Sequence, residues 1–94
     1  MVKLVWGSSF KRAYKKSIKG RRDLRDKLVE LLEIFQNDPF HPILKTHKLS
    51  GKLEGLWAFV VEYDCRVIFK FVENPDTKEK EALLVDIGRH DEVY

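Results

Sequence analysis

The fold is decided by the stretch Trp57-Ala58-Phe59-Val60-Val61-Glu62-Tyr63-Asp64-Cys65-Arg66-Val67-Ile68-Phe69-Lys70-Phe71-Val72. Two runs rich in aromatic and β-branched residues flank a short polar link at 63–66, which is typical of two paired strands. A third such run, 83–87, follows a charged connection at 73–81. These runs predict three antiparallel strands. If the second and third strands pair, Arg66 and the segment 88–94 come to the same end of the sheet.

The first six residues predict a further strand. Apolar and other residues alternate there, with Val2, Leu4 and Trp6 on one face, as in a strand with one side inward. We expect this strand to pair with the C-terminal sheet. In the Gly7-Ser8-Ser9 turn that follows, a serine side chain is expected to cap a helix.

Two amphipathic helices joined at Gly20 are predicted next. The first has an apolar residue once per turn, and the second, from about residue 21 to 36, has a longer apolar stripe. Glycine is typical of the C-terminal end of a helix, and the residue before Pro39 disfavours the α conformation, which ends the second helix. The stripes consist of Phe10, Tyr14 and Ile18 in the first helix and of Leu24, Leu28, Leu31, Leu32 and Phe35 in the second.

Residues 39–52 show no regular apolar period and are predicted to form an irregular loop that ends in a Ser50-Gly51 turn. The element order is therefore β-α-α-β-β-β. This order predicts an α+β fold in which the helical hairpin packs on one face of an antiparallel sheet and leaves the other face open to a partner. A chain of 94 residues supports one core, so we expect a single domain over residues 1–94.

The positive charge is concentrated in the helical hairpin. Residues 11–27 contain nine Lys or Arg and two Asp, a net of +7, so the rest of the chain carries −4 of the total of +3. Such a block suits a polyanion, because each neutralised phosphate releases a counterion. A solvated helical face has the same composition.

Composition also indicates the compartment. Cys65 is the one cysteine, so no internal disulfide can form. No apolar stretch resembles a signal peptide or approaches the ~20 residues that span a bilayer. We therefore expect a cytoplasmic protein with no membrane partner. Because the three histidines lack the spacing of metal ligands, no metal and no cofactor are expected.

Three motifs carry a resemblance to a known family. They are His47-Lys48-Leu49-Ser50-Gly51, Tyr63-Asp64-Cys65-Arg66-Val67-Ile68-Phe69 and Asp86-Ile87-Gly88-Arg89-His90-Asp91-Glu92-Val93-Tyr94. In this order and spacing the chain resembles the RelE/ParE toxin superfamily over nearly its whole length, and the first and last motifs resemble its YafQ branch. The resemblance implies a RelE-like fold and a toxin that cleaves mRNA in the ribosomal A site. Its partners would be the ribosome, mRNA and a cognate antitoxin that holds it inactive.

Metal-free RNA cleavage needs a base for the ribose 2′-hydroxyl, an acid for the leaving 5′-oxygen and cations for the phosphorane. Histidine suits either proton transfer because its pKa of ~6.5 lies near neutral pH, and arginine can hold two phosphate oxygens. We therefore predict His90 as general acid or base, with Arg66 and Arg89 as phosphate clamps. Asp64 could be the opposite proton-transfer partner or could orient a histidine. Tyr94 could stack on a base or orient the phosphate.

The chain departs from YafQ-like sequences at two positions. Val60 stands where they have a second histidine, and Asp86 stands near the position of an arginine. Arg66 and Arg89 could supply the missing charge, which leaves the division of roles open. Two alternatives therefore stay open: a ParE-like toxin that poisons gyrase and needs no proton-transfer histidine, and a degenerate homologue that only binds antitoxin.

Two basic surfaces are predicted to contact RNA, one on the hairpin and one in the loop 39–52. The alternative for both surfaces is that they contact only solvent and bind no RNA. Trp57 and Phe59 are expected in the core, although a ring on the open face could stack on a nucleotide. The predicted contacts are Lys15, Lys16, Arg21 and Arg22 on the hairpin and Lys45, His47, Lys48 and Lys52 in the loop.

Overall fold

The computed structural model describes residues 1–89. Three-residue 3-10 turns at Pro42–Leu44 and Gly51–Leu53 flank a two-residue strand. The helices and strands in chain order are β1 (Lys3–Trp6), α1 (Ser8–Ile18), α2 (Arg22–Asn37), β2 (His47–Lys48), β3 (Trp57–Glu62), β4 (Cys65–Glu73) and β5 (Lys80–Gly88).

The strands form one five-stranded sheet in the order β1-β5-β4-β3-β2. The predicted α+β fold is confirmed, including the pairing of the N-terminal strand with the C-terminal sheet. The sheet is mixed rather than wholly antiparallel, because β1 runs parallel to β5 while the other three pairs are antiparallel. The unpredicted strand β2, within the expected irregular loop, adds one reversal of chain direction, and this is why β1 and β5 end up parallel.

The core lies between the two helices and one face of the sheet. All five residues of the predicted α2 stripe are buried, as is Phe10 of α1. The Phe35 ring packs 5.2 Å from that of Phe59 and 4.8 Å from that of Phe69, measured between centroids. Burial of these rings, at roughly 1.5–3 kcal/mol for a large apolar side chain, fixes α2 against β3 and β4.

The start of α1 differs from the expectation of a serine cap. Gly7 holds the N-cap position, and no side chain caps the helix. Ser9 instead donates its hydroxyl to the carbonyl of Val85 at 2.7 Å. The backbone N–H of Gly7 donates to the carbonyl of Leu84, and a Cβ at Gly7 would lie 2.8 Å from that oxygen. The end of β1 thus approaches β5 so closely that glycine is required. Within the described residues, neither helix has the length and apolar character needed to cross a bilayer.

Candidate functional site at the β4–β5 end of the sheet

The end of the sheet where β4 begins and β5 ends brings together three of the predicted catalytic residues, Asp64, Arg66 and Arg89. Arg66 pairs directly with Gly88 across the two strands, so the predicted meeting of Arg66 with the start of segment 88–94 is confirmed. The Arg66 guanidinium donates through Nη1 to the carbonyl of Tyr63 at 3.1 Å. Tyr63 itself is 96% exposed at the tip of the β3–β4 turn. Arg66 forms no ion pair with any residue in the described part of the chain.

Asp64 and Arg89 form an ion pair at the same end. The Arg89 Nε donates to Asp64 Oδ2 at 2.8 Å, and the two side chains are 67% and 48% exposed. Sequence reasoning gave these residues separate roles, with Asp64 in proton transfer or histidine orientation and Arg89 on phosphate. Twenty-five positions of sequence separate them, so their pairing depends on the tertiary fold.

The pair borders a cleft of about 600 Å³ on the helix side of the sheet. Arg21 also lines the cleft, and its Nη2 lies 2.8 Å from Asp23 and 3.2 Å from Glu62. Both basic and acidic side chains line the cleft. The cleft is lined by Ala13, Lys16, Ser17, Arg21, Leu24, Glu62, Asp64, Cys65, Asp86, Ile87, Gly88 and Arg89.

The acids around Arg21 change its suitability for RNA. Hydrogen bonds to Asp23 first, and then to Glu62, raise the pKa of Arg21 further above its usual value. The same bond lowers the pKa of the Asp23 carboxyl. Arg21 is therefore already paired with carboxylates, and any phosphate would compete with them. Of the four predicted hairpin contacts, Lys15 and Arg22 lie exposed on α1 and α2, and Lys16 lines the cleft.

Arg66 and Arg89 lie on different sides of the sheet end. The neighbours of Arg66 in β4, Cys65 and Val67, belong to the helix-side core, so alternation places Arg66 on the open face. Arg89 lines the helix-side cleft. The two predicted phosphate clamps thus come to one end of the sheet but do not share one face.

The open face carries a row of residues across four strands. His47 pairs with Ala58, Ala58 with Ile68, and Ile68 with Asp86. Ala58 and Ile68 are 0% and 2% exposed although they lie outside the helix-side core. Asp86 accepts the backbone N–H of Ile87 at 2.9 Å, and His47 Nδ1 lies 2.9 Å from the carbonyl of Lys45. In strand register this apolar strip has His47 at one end and Asp86, which also borders the helix-side cleft, at the other.

Adjacent to this row, Val60 pairs with Arg66. Val60 and Asp86, the two positions that depart from the YafQ pattern, therefore lie beside or within the open-face row, and Arg66 is the cation nearest to them in register.

Several expectations fall outside the described residues. His90 and Tyr94 lie beyond residue 89, so their predicted roles stay predictions. Within residues 1–89, no three His, Cys, Asp or Glu side chains are grouped so that they could hold a metal ion.

Burial raises the pKa of the Cys65 thiol to about 11, with a further contribution from the charge of Glu62. Cys65 is 5% exposed and keeps its proton at neutral pH.

The loop 39–52 places Lys48 against an aromatic ring, a contact that sequence reasoning missed. Lys48 Nζ lies 5.4 Å from the centre of the Trp57 ring. Trp57 is partly buried against the core, as expected, but it also contacts the exposed Phe40. Lys45 has a left-handed backbone with φ of 50°, and Lys52 lies in the second 3-10 turn.

Three solved structures of bacterial toxins have this architecture. Escherichia coli YafQ from strain BL21(DE3) is 20% identical, with a TM-score of 0.79 over 100% of this chain and 99% of that one. YafQ in the E. coli DinJ-YafQ complex is 20% identical, with a TM-score of 0.77 over 100% and 99%. The YoeB/ParE toxin from Agrobacterium tumefaciens is 20% identical, with a TM-score of 0.75 over 95% and 99%. These similarities show that the chain has the fold of RelE-like toxins.

The sequence itself identifies the family. Residues 2–94 match the family described as the bacterial toxin of type II toxin-antitoxin system, YafQ. The chain belongs to this YafQ toxin family. No curated protein sequence is significantly similar to it.

Proposed function

We propose that this protein is a toxin that cleaves mRNA on the ribosome by attack of the ribose 2′-hydroxyl on the adjacent phosphorus, and that residues 1–94 act as one domain. The observation that carries the proposal is the register of Arg66 with Gly88. This register sets an arginine that has no acidic partner among residues 1–89 opposite a residue two positions before His90 in sequence. Membership of the YafQ toxin family supports it.

Arg66 is the phosphate clamp in this proposal. Its one described hydrogen bond goes to the neutral carbonyl of Tyr63, so its charge is not compensated by a carboxylate among residues 1–89. A guanidinium can hold two phosphate oxygens and stabilise the phosphorane as charge develops. His90 acts as general acid or base, and Tyr94 stacks on a base or orients the phosphate.

In this proposal Asp64 and Arg89 position the backbone and do not take part in the reaction. Because the Asp64 carboxylate is bonded to the Arg89 guanidinium at 2.8 Å, a proton on Asp64 or a phosphate on Arg89 would first have to break this pair. Arg89 is the residue before His90. We infer that the pair fixes the backbone from which the imidazole extends, and that Arg89 adds positive charge near the phosphate without binding it directly.

The basic hairpin docks on ribosomal RNA, and the loop residues Lys45, His47, Lys48 and Lys52 contact mRNA. Lys15 and Arg22 are exposed and suited to phosphate. Arg21 contributes less because Asp23 and Glu62 hold it. The toxin acts in the cytoplasm, where a cognate antitoxin holds it inactive. E. coli YafQ has been solved in complex with DinJ, and a complex of that kind is expected for this chain.

The test is expression of the chain in cells that carry a reporter mRNA, followed by primer extension to map 5′ ends. New ends should appear within codons on expression of the wild type and disappear with His90→Ala. Co-expression of the cognate antitoxin should suppress the ends. Growth arrest with intact reporter mRNA and inhibited gyrase would contradict the proposal and favour the ParE-like alternative. Undiminished cleavage by His90→Ala would remove His90 from the mechanism.

A further inference from the structure

A second depression lies at the other end of β3 from the predicted catalytic residues, against the edge strand β2. Its volume is about 580 Å³, and it is lined by Lys48, Trp57, residues 49–51 and residues 54–56. Trp57 and Lys48 face each other directly across the two strands, and the Lys48 ammonium lies 5.4 Å from the centre of the indole ring. A cation and an aromatic ring therefore form one wall of this depression.

Two further rings contact Trp57, although they are not among the residues that line the depression. The rings of Phe40 and Phe71 each lie 5.5 Å from the Trp57 ring and 6.0 Å from each other. Phe40 remains 56% exposed. Exposed apolar groups that lie together on a small protein are often interaction sites. The surrounding segment 39–57 contains three lysines and one glutamate, so an anionic partner is favoured.

We propose that this depression and the adjoining Phe40 ring bind a nucleotide of single-stranded RNA, with the base against the Trp57 and Phe40 rings and a phosphate beside Lys48. Aromatic rings accept any base because each base has a π-face, and lysines along the path neutralise the backbone. Glu54, which also lines the depression, can accept a hydrogen bond from an amino group of the base. This inference rests on the proposed function, because it takes RNA as the substrate.

The two sites can be joined by one RNA strand. Successive residues of a strand point to opposite faces, so His47 lies on the open face and Lys48 beside the depression. From β4 to β2 is two strand spacings, about 10 Å. An RNA strand held by Arg66 on the open face would pass His47 at the sheet edge and turn over β2 to reach Lys48 and Trp57. The depression would then hold a nucleotide that flanks the scissile phosphate.

Binding of a short fluorescein-labelled single-stranded RNA, measured by fluorescence anisotropy, tests the site. A His90→Ala background is used so that the RNA is not cut. Phe40→Ala, Lys48→Ala and Trp57→Leu should each weaken binding, and Trp57→Leu should do so by about tenfold or more, because base–aromatic stacking contributes ~1–3 kcal/mol and 1.4 kcal/mol is tenfold. Lys3→Ala, an exposed lysine on the opposite edge strand, is the matched control and should bind as the parent does.

Trp57 is partly buried, so circular dichroism and thermal melting must show that Trp57→Leu is folded. A second readout keeps the test independent of that variant: in a Trp6→Phe protein, RNA should quench the fluorescence of Trp57, the one remaining tryptophan. No binding by the parent, equal binding of double-stranded RNA, unchanged affinity of Phe40→Ala and Lys48→Ala, or quenching only by the antitoxin would each overturn the proposal.

The same variants in the primer-extension assay separate this inference from the proposed function. If the variants bind RNA with the affinity of the parent and still cleave mRNA, only the nucleotide site in the depression is refuted. If RNA binding depends on Trp57 but the wild type does not cleave mRNA, the nucleotide site is supported and the proposed endonuclease activity is refuted.

Discussion

Exchanging the two residues of the Asp64–Arg89 ion pair tests whether they position the backbone before His90 or take part in the cleavage reaction. The Nε–Oδ2 distance is 2.8 Å, and the side chains are 48% and 67% exposed. Ion pairs this exposed contribute about 0–1 kcal/mol, so Asp64→Asn should lower the free energy of unfolding by no more than about 1 kcal/mol. The variant stays folded, and its activity reports on the site alone.

The two roles predict different sizes of effect. If Asp64 transferred a proton, Asp64→Asn would slow cleavage by ~10²- to 10⁴-fold, whatever residue stood at position 89. If the pair positions the backbone before His90, each single variant should cleave no more than about fivefold more slowly than the wild type. The pair contributes at most about 1 kcal/mol, and 1.4 kcal/mol corresponds to a tenfold change in rate. The double variant Asp64→Arg with Arg89→Asp should then recover to within about twofold of the wild type, because the reversed pair restores the bond.

Single-turnover cleavage of a reporter mRNA on programmed ribosomes measures these rates. Asp76→Asn is the matched control, because Asp76 is an exposed acid in the turn between β4 and β5, at the other end of these strands. A loss of about 100-fold or more in Asp64→Asn that the reversed pair does not restore would refute the positioning role and identify Asp64 as a proton-transfer group.

Three further outcomes are expected. Arg66→Lys should slow cleavage by about tenfold or more in the same assay, because an ammonium cannot grip two oxygens; an equal rate would show that Arg66 is only a surface charge. Combined replacement of Lys15, Lys16 and Arg22 by Glu should weaken ribosome cosedimentation and make its salt dependence shallower by roughly 0.7–0.9 per lost phosphate contact; unchanged binding would leave a solvated face. Cys65 should resist iodoacetamide at pH 8 until the protein unfolds, and its burial should stabilise the fold below pH 9.0, with the contribution lost as pH rises towards about 11; rapid native alkylation would contradict this.

Regular apolar spacing explains what the sequence could predict. Leu24, Leu28 and Phe35 recur at helical spacing and are buried, and the long strands β4 and β5 are rich in β-formers. Two such strands joined by one connection pair antiparallel, so the approach of Arg66 to Gly88 followed from strand lengths alone.

Features that depend on distant parts of the chain could not be predicted in the same way. Strand β2 consists of two exposed polar residues, so it has no apolar alternation to reveal it. Ser9 does not cap the helix. Because β1 lies beside β5, the Ser9 hydroxyl reaches the carbonyl of Val85, 76 positions away, and donates its hydrogen bond there. The contact of Arg21 with Glu62 spans 41 positions. Each contact forms between surfaces that only the folded sheet brings together.

The ends of the cleaved RNA test the central claim most directly. Attack by the ribose 2′-hydroxyl breaks the bond from phosphorus to the 5′-oxygen, so it leaves a 2′,3′-cyclic phosphate upstream and a 5′-hydroxyl downstream. A reporter mRNA cut by the purified toxin on programmed ribosomes should carry these ends, as shown by mass spectrometry of the upstream fragment and by direct labelling of the downstream fragment with polynucleotide kinase. A 3′-hydroxyl with a 5′-phosphate would mean that water or another nucleophile attacks, and would contradict the mechanism proposed for Arg66 and His90.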